Sequence, residues 1–227
     1  SKKELGRLAE VAADAYRDYP LHNWFTKGKY DKKTSKLIMQ ISLKTMTEDA
    51  ITVLALWRAC RAALEEAGIE NAAAETDWLW QAAVGNDRHL LRPDEPVTPE
   101  KAAALRALIT RRAAHEPVQY LLGSWPFLDF EVKVAPGVLI PRQDTETLVE
   151  NALIALSGMP DPAVLDLCCG SGCIGLAVAS RVKDAKVTLA DISQKALSVA
   201  KENVALNKLS GRVRCVAADA LKPAFPF

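Results

Sequence analysis

The run Val164-Leu165-Asp166-Leu167-Cys168-Cys169-Gly170-Ser171-Gly172-Cys173-Ile174-Gly175 puts an acid near the end of an apolar strand, then a Gly-x-Gly turn that opens a helix. Gly170 and Gly172 remove side chains where a ligand must approach the backbone. A helix N-terminus supplies free N–H donors. Two further acids stand in the same relation to later strands. Asp191 ends the next strand, where a carboxylate can take both hydroxyls of a ribose. Asp219 follows the third, where a carboxylate can meet the exocyclic amine of an adenine. Each acid alone also reads as a cap on the helix that follows it. Together they line one edge of a sheet, the edge at which open α/β sheets bind ligands.

Two ligand classes fit such an edge. Gly170, Gly172 and Gly175 match the dinucleotide spacing Gly-x-Gly-x-x-Gly. Asp166, however, would lie near the pyrophosphate, and like charges repel. S-adenosylmethionine carries a sulfonium cation and an ammonium group, which an acid suits, so electrostatics favours the methyl donor. Cys168, Cys169 and Cys173 crowd into six positions, but no second Cys or His pair sits at zinc spacing. No metal is expected.

The elements that must position these residues follow from hydrophobic period. Apolar stripes at 3.6-residue spacing predict helices over 3–17, 31–45, 47–67, 71–84 and 98–115. Thr47 and Thr98 are the expected caps of the third and fifth, and Gly68 and Gly85 the expected stops of the third and fourth. Beyond Pro117 the period falls to two. Phe130, Val132 and Val134 share a face, Ala135-Pro136-Gly137 makes a turn, and Val138-Leu139-Ile140 reads as the second strand of a hairpin. From residue 163 the order becomes β-α-β-α-β: strands over 163–167, 186–190 and 212–217, helices over 172–181 and 193–206. Strands alternating with helices imply a parallel sheet, its first strand buried.

The chain has 227 residues, 29 Lys+Arg against 28 Asp+Glu, and a net charge of +1. A dedicated nucleic-acid binder would carry a basic surplus, so none is expected. No stretch reaches the ~18 apolar residues of a membrane span. The five cysteines are odd in number, and no secretory pattern opens the sequence. A cytoplasmic home is expected. Trp57, Trp78, Trp80 and Trp125 read as core or interdomain contacts, and Arg111-Arg112 as a solvated helix end.

Asp166-x-x-x-Gly170-x-Gly172 resembles motif I of class I S-adenosylmethionine-dependent methyltransferases. Glu116-Pro117-Val118-Gln119-Tyr120-Leu121-Leu122-Gly123 and Leu139-Ile140-Pro141-Arg142-Gln143-Asp144-Thr145-Glu146 are similar to segments of the release-factor glutamine methyltransferases, the HemK/PrmC type. The resemblance runs from about Met46 onward. It implies an α/β chain with a helical substrate-recognition domain (46–118), a β-hairpin linker (119–141) and a partial Rossmann-like methyltransferase domain (142–227). It implies methylation of the side-chain amide of the glutamine in the Gly-Gly-Gln motif of peptide chain release factors. S-adenosylmethionine is the implied cofactor and release factors the implied partners. Asp166, Gly170 and Gly172 would frame the methionine part, Asp191 the ribose and Asp219 the adenine. Arg142 and Glu146, with Pro141 and Thr145, would flank the pocket. Arg142 and Glu146 also stand at the spacing of an ion pair at a helix start.

The family's substrate-holding motif, Asn-Pro-Pro-Tyr, does not occur in the sequence, so no catalytic residue is assigned. A fragment that cannot methylate alone is the expectation. Residues 1–45 read as a helical extension and faintly resemble the opening of GNAT-type acetyltransferases. Two other readings remain open: a non-catalytic module binding the cofactor or a release factor, and a methyltransferase for another protein or nucleic-acid amine.

Overall fold

The computed structural model describes residues 51–221. The helices expected over 3–17 and 31–45, and the cap expected at Thr47, lie outside those residues. The chain divides into two compact units, one reaching Leu122 and the other starting at Gly123.

The first unit is helical. α1 spans Val53–Glu66, α2 Ala72–Val84, α3 Pro99–Ala113 and α4 Val118–Leu122, with a 3-10 turn at Arg88–Leu90. Ile51 and Thr52, the described residues of the expected helix ahead of Val53, are not helical, because Thr52 is extended and bridged to Pro96. Thr52 is the cap, and its hydroxyl accepts from the Ala55 N–H at 3.4 Å. The loop over 92–96 helps close the same end. The Val53 N–H donates to the Glu95 carbonyl and the Leu54 N–H to the Pro93 carbonyl, satisfying donors that a helix start leaves without intrahelical partners. Thr98 caps α3, with Pro99 in its first turn, as the sequence predicts. Gly85 ends α2 with φ 84°, a left-handed backbone that glycine adopts without a Cβ penalty. Leu56, Leu64, Leu79, Trp80, Leu105 and Ile109 are fully buried where α2 packs on α1 and α3.

The second unit opens with an antiparallel hairpin, β1 (Ser124–Phe127) and β2 (Phe130–Lys133), in the register Phe127↔Phe130 to Ser124↔Lys133. This corrects the expected hairpin. Its turn lies at Leu128-Asp129, not at Ala135-Pro136-Gly137, and Val138-Leu139-Ile140 forms no strand; Leu139 is 73% exposed. Two-residue hairpin turns usually announce themselves with glycine or asparagine, because they need positive φ. Here Leu128 takes φ 54°. The Phe127 and Phe130 rings hold the pair closed, edge to face at 5.8 Å, and the Glu146 carboxylate accepts from the Leu128 N–H at 3.2 Å.

Then follow α5 (Asp144–Leu156), β3 (Ala163–Leu167), α6 (Cys173–Arg181), β4 (Lys186–Asp191), α7 (Gln194–Leu206) and β5 (Val213–Ala217). The sheet is parallel in the order β3-β4-β5, with Asp166 beside Leu189 and Asp191 beside Ala217. Leu176, Leu189, Leu197, Ala200 and Val204 form the core beneath α6 and α7. β3 is less buried than expected, with Leu167 41% exposed. A groove of about 560 Å³ also runs past Val164, Thr188, Val213 and Arg214.

Candidate functional site

The carboxyl ends of β3 and β4 bring the Gly turn and two acids together. Asp166, the fourth residue of β3, is 9% exposed, and its Oδ2 accepts from the Gly175 N–H at 2.9 Å. Burial pushes its carboxyl above the usual aspartate range, the Gly175 hydrogen bond opposes this, and the Asp191 charge adds to it. Asp191 ends β4. Its Oδ2 accepts from the Gly170 N–H and its Oδ1 from the Ser193 N–H, both at 2.9 Å. One carboxylate therefore holds the Gly turn and the approach to α7 at once. The helix-start contact expected of this acid is present, on a side chain that stands at the carboxyl end of β4.

The turn depends on its glycines. Gly170 has φ 56° and Gly172 φ 79°. A Cβ on Gly172 would lie 2.8 Å from Leu189 Cδ1, and one on Gly175 would lie 2.4 Å from Leu189 Cδ2. Those two positions need glycine for helix–strand contact. Gly170 differs: the nearest atom to a Cβ there is Val138 Cγ1 at 3.9 Å. A Cβ at Gly170 would thus make one ordinary contact, so packing does not demand glycine there, although the positive φ favours it.

The remaining predicted residues stand on other segments of the second unit. Asp219 follows β5, where the Ala218 N–H donates to the Asp191 carbonyl, and its Oδ1 accepts from the Leu221 N–H. Arg142 is exposed just before α5, and Glu146 bonds to the hairpin turn. Among the described residues no ion pair joins Arg142 to Glu146, and no hydrogen bond joins either to Asp166, Gly170, Gly172 or Asp191.

Two cysteines of this run, Cys169 and Cys173, are held as thiols. Burial pushes Cys169 up to about 12, with the charges of Asp166 and Asp191 adding to it, and pushes Cys173 up to about 11. Neither is disposed to act as a thiolate nucleophile or metal ligand. Among the described residues no three His, Cys, Asp or Glu side chains are grouped to hold a metal ion.

One residue at the site was not singled out from the sequence. Asn203, in the last turn of α7, is fully buried. Its Oδ1 accepts from the Lys133 N–H at 2.6 Å, and its amide donates to the Lys133 carbonyl at 3.0 Å and the Ser171 carbonyl at 2.9 Å. The available signal was an asparagine on the apolar side of a helix, a type that costs helix stability unless its amide finds partners.

The helical unit uses its charges differently from what was expected. Arg112 is not solvated. It forms a two-pronged pair with the buried Glu75, with the longer contact at 3.2 Å, and it donates to the Glu116 carbonyl. Arg111 pairs with the Glu116 carboxylate at 2.8 and 2.5 Å. Glu116, the first residue of one resembling segment, therefore anchors the end of α3.

Comparison with known proteins agrees with this division. Residues 55–123 match the PrmC N-terminal domain, and residues 143–225 match the methyltransferase small domain. A release factor glutamine methyltransferase of Geobacter sulfurreducens is 46% identical over 145 residues, 63% of this chain and 50% of that protein. One from Bordetella pertussis is 48% identical over 147 residues, 64% of this chain and 54% of that protein. One from Moorella thermoacetica is 39% identical over 162 residues, 70% of this chain and 57% of that protein. The chain thus spans about half the length of the curated relatives it matches. Among the described residues no helix is long and apolar enough to cross a membrane.

Proposed function

We propose that this chain, which belongs to the release-factor glutamine methyltransferase family, binds S-adenosylmethionine at the carboxyl ends of β3, β4 and β5. The reaction we infer for it is methylation of the side-chain amide of the glutamine in the Gly-Gly-Gln motif of peptide chain release factors. The observation that carries the cofactor reading is the Asp191 carboxylate, fixed by the Gly170 and Ser193 N–H groups at the tip of β4. A carboxylate at this strand end suits the two hydroxyls of a ribose.

The residues present fit the cofactor by their chemistry. An ionised carboxylate is an acceptor only, and among the described residues neither Asp166 nor Asp191 has a cationic side chain bonded to it. That setting suits a ligand bearing hydroxyls, an ammonium and a sulfonium, and disfavours a pyrophosphate. Gly170 has no side chain between its backbone and a ligand, and only Val138 Cγ1 comes within 4 Å of where a Cβ would stand. Asp166 and the Gly turn would frame the methionine part, Asp191 the ribose and Asp219 the adenine. Arg142 and Glu146 would flank the pocket. When bound, S-adenosylmethionine supplies a methyl carbon made electrophilic by its sulfonium. The protein's part is to hold and orient, consistent with catalysis by proximity. Release factors are the partners this reading implies.

Calorimetric titration tests the cofactor step. The chain should take up S-adenosylmethionine and not NADH. Asp191→Ala should weaken uptake about 100-fold, the scale expected for losing two hydrogen bonds to a charged group. Equal heats from the chain and from Asp191→Ala would remove the ribose assignment, and preferential uptake of NADH would replace the methyl donor with a dinucleotide.

A further inference from the structure

A buried amide ties the Gly turn to the hairpin. β2 presents its outer edge, the Glu131 carbonyl and both backbone groups of Lys133, to α7. Asn203 meets the Lys133 N–H and carbonyl, and one helical turn later Asn207 donates to the Glu131 carbonyl at 3.2 Å. Two asparagines at i, i+4 thus satisfy the edge as a neighbouring strand would. Asn207 also donates to the Asn203 carbonyl at 2.9 Å. Asn203 alone of the pair reaches further, to the carbonyl of Ser171. Ser171 is 2% exposed and lies between the two glycines at positive φ.

We propose that Asn203 is a positioning residue for the cofactor turn. By joining the Ser171 carbonyl to the Lys133 backbone, it holds the turn in its ligand-ready shape and makes cofactor affinity depend on the hairpin. This rests on the cofactor reading above. Glycine has the widest backbone freedom of any residue. A turn flanked by Gly170 and Gly172 therefore keeps one shape only if something outside it fixes the peptide between them. Asp191 fixes the Gly170 N–H, and Asn203 fixes the following carbonyl from the opposite element. A turn that must be ordered at the moment of binding binds more weakly than one ordered beforehand.

Asn203→Ala, Asn207→Ala and Val204→Ala are compared with the unaltered chain in three measurements: urea unfolding, calorimetric affinity for S-adenosylhomocysteine, and amide exchange at Gly170 and Gly172. Asn203→Ala should bind about tenfold more weakly and exchange faster at the turn. Asn207→Ala loosens the same hairpin edge, and Val204→Ala weakens the same helix; both should keep their affinity within about twofold at comparable loss of stability. If Asn203→Ala binds and exchanges like Asn207→Ala, the proposal is wrong. If the unaltered chain binds no ligand, the cofactor reading fails, and exchange decides the positioning role: faster exchange confined to Asn203→Ala supports it, and equal exchange in both variants overturns it. Should Asn203→Ala not fold, Asn203→Asp takes its place. It keeps an acceptor for the Lys133 N–H and turns a carboxylate toward two carbonyls, so unchanged affinity there also overturns the proposal.

Discussion

The two units handle buried and half-buried acids in opposite ways. In the helical unit Glu75 is answered by Arg112, Glu116 by Arg111, and Asp77 by Arg88 at 2.8 Å and the Trp57 indole at 2.7 Å. The Arg88 guanidinium also lies 4.3 Å from the centre of the Trp57 ring, a cation–π contact. Burial pushes the Asp77 carboxyl up, but the hydrogen bonds from Arg88 and Trp57 and the charges of Arg88 and His89 outweigh it and hold it low. At the sheet edge Asp166 and Asp191 are met by backbone N–H groups instead, and the Asp166 carboxyl is pushed up. The first arrangement contributes to the fold. The second leaves acids at strand ends without a side-chain cation, and for Asp166 burial makes the charged form costly.

If that contrast is right, the largest loss of stability comes from breaking a pair in the helical unit. Arg112→Ala strands the Glu75 carboxylate, whose side chain is 10% exposed. It should cost about 3 kcal/mol, because removing one partner leaves a buried charge uncompensated. The double variant Arg112→Met with Glu75→Leu should recover most of the loss. Urea unfolding followed by helical circular dichroism measures both. A cost below about 0.5 kcal/mol for Arg112→Ala would make this pair equivalent to an exposed one such as Arg61–Glu65 and remove the contrast.

A smaller loss is expected where the ligand edge meets its core. Gly175→Ala would put a Cβ 2.4 Å from Leu189 Cδ2 and 3.0 Å from Val187 Cγ1. Overpacking of this kind costs about 1–3 kcal/mol. Gly211 has open space around a Cβ, so Gly211→Ala is the matched control, expected within about 0.5 kcal/mol. Equal unfolding midpoints for the two variants would show that α6 can shift away from β4, and that the turn is not held by packing.

Much of this was legible in the sequence. The three strands and their two crossover helices follow from alternating period, and Gly68, Gly85, Thr98 and Pro99 mark helix ends by backbone chemistry alone. The hairpin turn was not legible. Leu128 carries no turn signal, and its left-handed backbone is held by tertiary contacts, namely the Phe127–Phe130 ring pair and the Glu146 carboxylate. Ala135-Pro136-Gly137 carried a strong signal and does form a turn, with the Val138 N–H donating to the Ala135 carbonyl, but no strand pairs beyond it. The Arg112–Glu75 pair joins residues 37 positions apart, and the Asn203–Lys133 bonds span 70. Neither separation leaves a periodic trace. Asp166 and Asp191 were legible because strand, acid and Gly-x-Gly are local, whereas their lack of side-chain cations could be known only from the fold.

That lack makes Asp166→Asn the finest test of the contrast, with the smallest effect on stability and the opposite sign. The folded carboxyl sits above the ordinary aspartate range, mainly through burial. Between the ordinary value and the raised one, the folded chain holds more protons than the unfolded chain. Stability contributed by this group therefore falls as pH rises through that window, and the cost is complete above it. An asparagine carries no charge to bury, and its amide oxygen can still accept from the Gly175 N–H. Above the window Asp166→Asn should unfold at the same urea concentration as the parent or a higher one. The advantage should fade as pH falls below the ordinary carboxylate value. The same variant should lose the S-adenosylmethionine heat, because the acid is kept for the ligand and not for the fold. If Asp166→Asn is instead less stable than the parent at about pH 7, Asp166 supports the fold as Glu75 and its arginine do, and the two units would not differ in kind.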